Sequence, residues 1–111
     1  MPSDTIEDPR AYIDGTFTEE QFLQQVKKFA VGRGWLFHHH RDSRGSDPGF
    51  PDCVMVRDER LVFAELKKEK GRLSKDQEVW LKALEPFHEA CGVESWLWRP
   101  SDWDTIVELL T

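Results

Sequence analysis

From Thr18 onward, apolar residues recur at Phe22, Val26, Phe29 and Ala30, a spacing of three and four that predicts an amphipathic helix running up to Gly32 and Gly34. Thr18 with Gln21 three residues later has the form of a capping box, which places the helix start. Trp35-Leu36-Phe37 reads as a short strand. Asp52-Cys53-Val54-Met55-Val56 and Leu61-Val62-Phe63-Ala64-Glu65-Leu66-Lys67 are mostly apolar runs of strand length, separated by the polar turn Arg57-Asp58-Glu59-Arg60, and predict an antiparallel hairpin. Ser74 with Gln77 forms a second capping-box pair. The helix it opens carries Trp80, Leu81, Leu84, Phe87 and Cys91 on one side until Gly92 ends it. Val93 to Trp98 is a further strand by alternation and aromatic content, and Ser101 caps a last helix whose core face is Trp103, Ile106, Val107, Leu109 and Leu110. The order α-β-β-β-α-β-α defines an α/β fold. Residues 1–17, with Pro2, Pro9, Gly15 and several acids, read as a partly ordered leader before a domain over 18–111.

Antiparallel pairing changes the meaning of that pattern. Asp52 opens one strand of the hairpin and Glu65-Leu66-Lys67 closes the other, so a turn near Asp58 and Glu59 brings both to the same end. Glu65 and Lys67 stand two residues apart and share a face. Two carboxylates held together in a dry site destabilise each other, and a divalent cation resolves the conflict. Oxygen donors from Asp52, Glu65 and the backbone carbonyl of Leu66 suit Mg²⁺ or Mn²⁺, which keep several waters and accept a phosphate oxygen. Lys67 can then position or help deprotonate an attacking water, and the chemistry that fits is metal-assisted phosphodiester hydrolysis.

Composition narrows the partners. The 111 residues suffice for one core, and 39% hydrophobic with 32% charged content describes an ordinary globular chain. No apolar run approaches the roughly 20 residues of a membrane span, and Met1-Pro2-Ser3-Asp4 does not begin a secretory signal. Cys53 and Cys91 lie among apolar residues without a second ligand at metal spacing, which predicts buried thiols in a reducing, cytoplasmic setting. A net charge of −6 excludes attachment to nucleic acid by overall attraction, so any DNA contact must be local.

Two segments offer it. Lys68, Lys70, Arg72 and Lys75 make the stretch after Lys67 the most basic in the chain. The loop after His38-His39-His40 carries Arg41, Ser43, Arg44 and Ser46, which either hold phosphate or are simply solvated. The three consecutive histidines alternate faces and cannot converge on one ion, which leaves a strand end with His39 on one face. In the first helix, Glu19 lies near the apolar stripe, whereas Glu20 aligns with Gln24 and Lys27. Glu19 therefore serves either the helix dipole or a site. Gln77 is explained by capping Ser74, and it also starts a helix only a loop away from Lys67.

Pro51-Asp52 followed by Glu65-Leu66-Lys67 resembles the PD-(D/E)xK nuclease motif. Gly34-Trp35, Asp42-Ser43-Arg44, Gly49-Phe50-Pro51-Asp52, Gly71-Arg72-Leu73, Gln77 and Trp98-Arg99-Pro100-Ser101-Asp102-Trp103 extend the likeness to small stand-alone VRR-NUC domains of phages and bacteria, over roughly residues 18–111. The resemblance implies a central mixed sheet flanked by helices, Mg²⁺ or Mn²⁺ as cofactor, and DNA cleavage by a homodimer similar to Holliday-junction resolvases on branched DNA. It also implies that Glu19 joins the metal and catalytic site and that Gln77 is the glutamine following the ExK strand. Gly45 departs from the pattern, where a second arginine is expected. Restriction-like or repair cleavage of duplex or flap DNA, and a DNA-binding module without turnover, are the alternative functions.

Overall fold

Thr18 closes the start of α1 (Glu19–Gly32) in the computed structural model, which describes residues 18–40 and 47–111. Its hydroxyl accepts the Gln21 N–H at 3.0 Å, and the Gln21 side-chain oxygen accepts the Thr18 N–H at 2.8 Å. The expected capping box is thus formed, satisfying donors that the first turn leaves without helical partners. The expectations for the leader and for Arg41, Ser43, Arg44, Gly45 and Ser46 lie outside the described residues.

The strands are β1 (Leu36–His39), β2 (Cys53–Arg57), β3 (Arg60–Leu66) and β4 (Glu94–Trp98), hydrogen-bonded in that order. β1 with β2 and β2 with β3 are antiparallel, whereas β3 with β4 is parallel. The hairpin turn is Asp58-Glu59, with φ of 49° and 68°. Positive φ at both central residues is the geometry whose twist matches a two-residue hairpin. A parallel neighbour requires a crossover, here supplied by α2 (Lys75–Leu84) and α3 (Pro86–Cys91), before α4 (Trp103–Leu110) completes the chain.

One sheet face carries Cys53, Met55, Val62, Ala64, Leu66 and Trp98 into a core with Phe22, Val26 and Ala30 of α1 and Ile106 and Leu110 of α4. Each large side chain removed from water here contributes about 1.5–3 kcal/mol. The predicted central mixed sheet flanked by helices is the architecture found. No helix among the described residues is long and apolar enough to cross a membrane.

Three expectations are corrected. The single helix read from Ser74 to Gly92 divides at Glu85, because Pro86 lacks the N–H that would continue the ladder; Pro86 instead begins α3, which stops at Gly92 with φ 78°. Neither helix contains a buried residue, and Cys91 is exposed where a buried thiol was expected; Cys53 is buried, and both cysteines are free. Ser101 does not cap the last helix, because Pro100–Asp102 forms a 3₁₀ turn in which the Asp102 carboxylate accepts the Arg99 N–H at 2.8 Å.

Candidate active site

Cys53 pairs with Ala64 across the hairpin, so Asp52 lies just beyond the last β2–β3 pair, beside Glu65 and Leu66. The Asp52 Oδ2 accepts the Leu66 N–H at 2.9 Å. The side chain thereby takes over a ladder position that the end of β2 leaves vacant. An extended residue sends its N–H and C=O to the same side, so the Leu66 carbonyl is carried toward Asp52 as well.

Glu65 is the buried acid of the site, only 1% exposed. Its Oε2 accepts a hydrogen bond from Gln77 Nε2 at 2.7 Å, while its Oε1 is buried without a hydrogen-bond partner among the described residues. Burial, then the neighbouring Asp52 charge, pushes the Glu65 carboxyl from its ordinary 4.5 up to about 8; Lys67 opposes the rise. Gln77 meanwhile remains the capping residue of α2, its Oε1 accepting the Ser74 N–H at 2.8 Å. One amide therefore spends its oxygen on the helix start and its nitrogen on Glu65.

Gly49 makes this approach possible. With φ of 90° it occupies the left-handed region, and an added Cβ would lie 2.4 Å from the Asp76 backbone carbon and oxygen. The loop entering Asp52 can thus lie directly against the first turn of α2. Phe50 follows, its ring edge-on to Trp80 at 4.9 Å and to Phe63 at 6.0 Å, which fixes α2 over the outer face of the sheet.

Lys67 completes the sheet end. Its N–H donates to the Trp98 carbonyl at 3.0 Å, and its ammonium lies 3.8 Å from Glu19 Oε1 with the side chain only 14% exposed. Glu19, in the first turn of α1, sits both at the helix dipole and at the candidate site. A cavity of about 140 Å³ opens between these elements, lined by Glu19, Glu20, Leu23, His40, Asp52 and Leu66.

The structure therefore brings together Asp52, Glu65, Leu66, Lys67, Glu19 and Gln77. His39 is not among them: it is half-buried, shares the face of Phe37, which packs against the core, and its Nδ1 is buried without a partner among the described residues. His40 lines the cavity instead, its N–H donating to the Asp52 carbonyl at 3.3 Å and its ring edge-on to Phe50 at 5.2 Å. Period-two alternation from Phe37 carries the signal that would have singled out His40. Lys68, Lys70, Arg72 and Lys75 are exposed.

The donors present fit a hard divalent cation. A buried carboxylate oxygen without a partner, beside a second carboxylate, is an arrangement that takes either a proton or a cation. Among the described residues no group of three His, Cys, Asp or Glu side chains is placed to hold a metal, and the Glu19 carboxylate lies 3.8 Å from the Lys67 ammonium. Asp52, Glu65 and the Leu66 carbonyl form a set suited to an ion that keeps several of its waters. Burial pushes the adjacent Cys53 thiol up, with Asp52 and Glu65 adding to the rise, which makes it a poor nucleophile.

A protein-family model described as the VRR-NUC domain matches residues 10–95. Comparison with curated proteins and with solved structures yields no match.

Proposed function

The chain belongs to the VRR-NUC domain family, a nuclease domain, and we propose that it is a Mg²⁺-dependent endonuclease hydrolysing phosphodiester bonds in branched DNA. The observation that carries the metal dependence is the buried, unpartnered Glu65 oxygen beside Asp52. In this reading Asp52, Glu65 and the Leu66 carbonyl hold the ion. A bound Mg²⁺ supplies charge stabilisation at the phosphate and a more acidic water.

The chain's own residues do the rest. Gln77 keeps the Glu65 carboxyl in one orientation through its 2.7 Å hydrogen bond. The Leu66 N–H does the same for Asp52. Lys67, restrained by Glu19 and largely withdrawn from solvent, brings a positive charge to the place where negative charge develops on the phosphate and orients the attacking water. His40 and Glu20 form the wall of the cavity beside Asp52. The basic segment after Lys67 receives the DNA backbone.

Branched DNA and a homodimer are supported by the sequence resemblance, and twofold symmetry suits two cuts at a four-way junction. Leu36 and Val56, cross-strand partners on the outer sheet face, are 74% and 41% exposed and provide apolar surface for a second copy to cover. A cytoplasmic setting agrees with two free cysteines. The test is cleavage of labelled four-way junction, flap and linear duplex in Mg²⁺ and then in EDTA. Junction cutting that stops in EDTA is the expected result; equal cutting in EDTA refutes the metal dependence, and equal cutting of linear duplex refutes the structure preference.

A further inference from the structure

The chain leaving Lys67 is tied down by a residue just past the end of β4. Arg99 Nη1 donates to three backbone carbonyls of that segment, Lys68 at 3.0 Å, Glu69 at 3.1 Å and Gly71 at 2.6 Å. The Gly71 N–H closes back onto the Lys68 carbonyl at 2.9 Å, so that carbonyl accepts twice. A second strut runs the other way, the Ser101 N–H donating to Glu69 Oε1 at 3.0 Å. The Arg99 backbone is itself fixed by Asp102 and directly follows Trp98, whose carbonyl holds the Lys67 N–H. A Cβ on Gly71 would meet Lys68 Cγ at 3.3 Å and Lys67 Cδ at 3.5 Å, so the turn lies against the stems of both lysines. The Lys68 and Lys70 side chains are left exposed on its outside.

The Arg99 Nη1 group, whose N–H donors are shared among three carbonyls of one turn, serves that turn's shape. We infer that Arg99 is a positioning residue for DNA: it holds the turn over Lys68 to Gly71 in the one shape that presents Lys68 and Lys70 beside Lys67, and binding of the phosphate backbone depends on it although other side chains touch the DNA. The inference rests on reading that segment as the DNA surface. Pre-ordering a loop removes a cost that binding would otherwise bear, so its loss weakens association while the DNA-touching side chains stay the same.

The test measures binding of a fluorescein-labelled four-way DNA junction by anisotropy in EDTA, where DNA is bound and not cut, across a salt series. The 111-residue chain is used with Arg99→Ala, Glu69→Ala, Lys68→Ala/Lys70→Ala, and the combination of Arg99→Ala with the double lysine change. The lysine pair is expected to weaken binding and lower the salt slope by about two, roughly 0.9 for each phosphate left without its lysine. Arg99→Ala is expected to weaken binding about tenfold and to add little once both lysines are gone. Glu69→Ala acts in the same direction less strongly, and stands in should Arg99→Ala fail to fold by circular dichroism. Effects of Arg99 and the lysines that multiply independently, or an Arg99→Ala protein and a Glu69→Ala protein that both bind as wild type, overturn the positioning role. Unchanged binding in the lysine pair overturns the DNA-surface reading itself, a separate failure.

Discussion

Gln77 Nε2 and Glu65 Oε2 stand 2.7 Å apart, and this hydrogen bond ties the start of a surface helix to a carboxylate at the sheet end. Removing Ser74 and removing Gln77 are therefore different experiments. Ser74→Ala loses half of the capping box and costs about 1 kcal/mol. Gln77→Ala loses the other half, the side-chain oxygen that accepts the Ser74 N–H, and also the donor to Glu65. Its Mg²⁺ affinity, read by calorimetry, is expected to fall about tenfold or more below that of Ser74→Ala. Equal affinities in the two variants would show that the hydrogen bond does not orient a metal ligand.

The raised Glu65 pKa sets a pH dependence whose sign is fixed. With the folded carboxyl titrating near 8 and the unfolded one near 4.5, the folded state holds a proton that the unfolded state has released between those values. The contribution to stability is complete below 4.5, declines as pH rises, and is exhausted above about 8. Urea denaturation of metal-free protein at pH 5, 7 and 9 should show that decline relative to Glu65→Gln, which cannot titrate. Mg²⁺ requires the ionised form, so its affinity should rise with pH over the same window. A wild-type stability that climbs relative to Glu65→Gln would contradict the assignment.

For catalysis, Asp52→Ala, Glu65→Ala and Lys67→Ala are each expected to reduce cleavage by at least ~10²-fold with the far-ultraviolet spectrum retained. Asp52→Ala should also lose about 1–2 kcal/mol of stability, since the Leu66 N–H then has no acceptor. Full activity in the Asp52 variant would remove it from the site.

Two glycines provide a matched pair. Gly49→Ala forces a left-handed backbone and a Cβ into the Asp76 backbone, whereas Gly92→Ala meets the strained φ alone, with open space around it. The Gly92 change should cost about 1 kcal/mol. The Gly49 change should cost at least about twice that and lower Mg²⁺ affinity, because it pushes α2 and Gln77 away from Glu65. Comparable losses at the two positions would show that the close approach to α2 is not what Gly49 serves.

Much of this is legible in the chain. The hairpin end that unites Asp52 with Glu65 and Lys67 follows from two apolar runs and the turn between them, and Thr18-Gln21 and Ser74-Gln77 announce helix starts through local chemistry. What the chain does not reveal depends on tertiary surroundings. α2 and α3 have helical periodicity yet bury no residue, and Cys91 stays exposed. His40 rather than His39 lines the cavity because alternation places His39 on the face of Phe37, a phase that Phe37 reveals and the run of histidines alone does not. Arg99 reads in the sequence as part of a terminal motif, and its three carbonyl partners lie far back along the chain.

The two-residue turn at Asp58-Glu59 bears on the order in which the site comes into being. Asp52 and Leu66 are 14 residues apart and are joined by a hairpin, an element that closes in about 1–10 μs. Glu65 is delivered to Asp52 by the same zipping event, before any parallel strand need dock. Gln77, Glu19 and the Arg99 clamp arrive only when the crossover helices, α1 and β4 settle, steps with longer loops to close. On the proposed metal role, a divalent ion present during folding would meet the carboxylate pair early, as a seed around which the later parts consolidate.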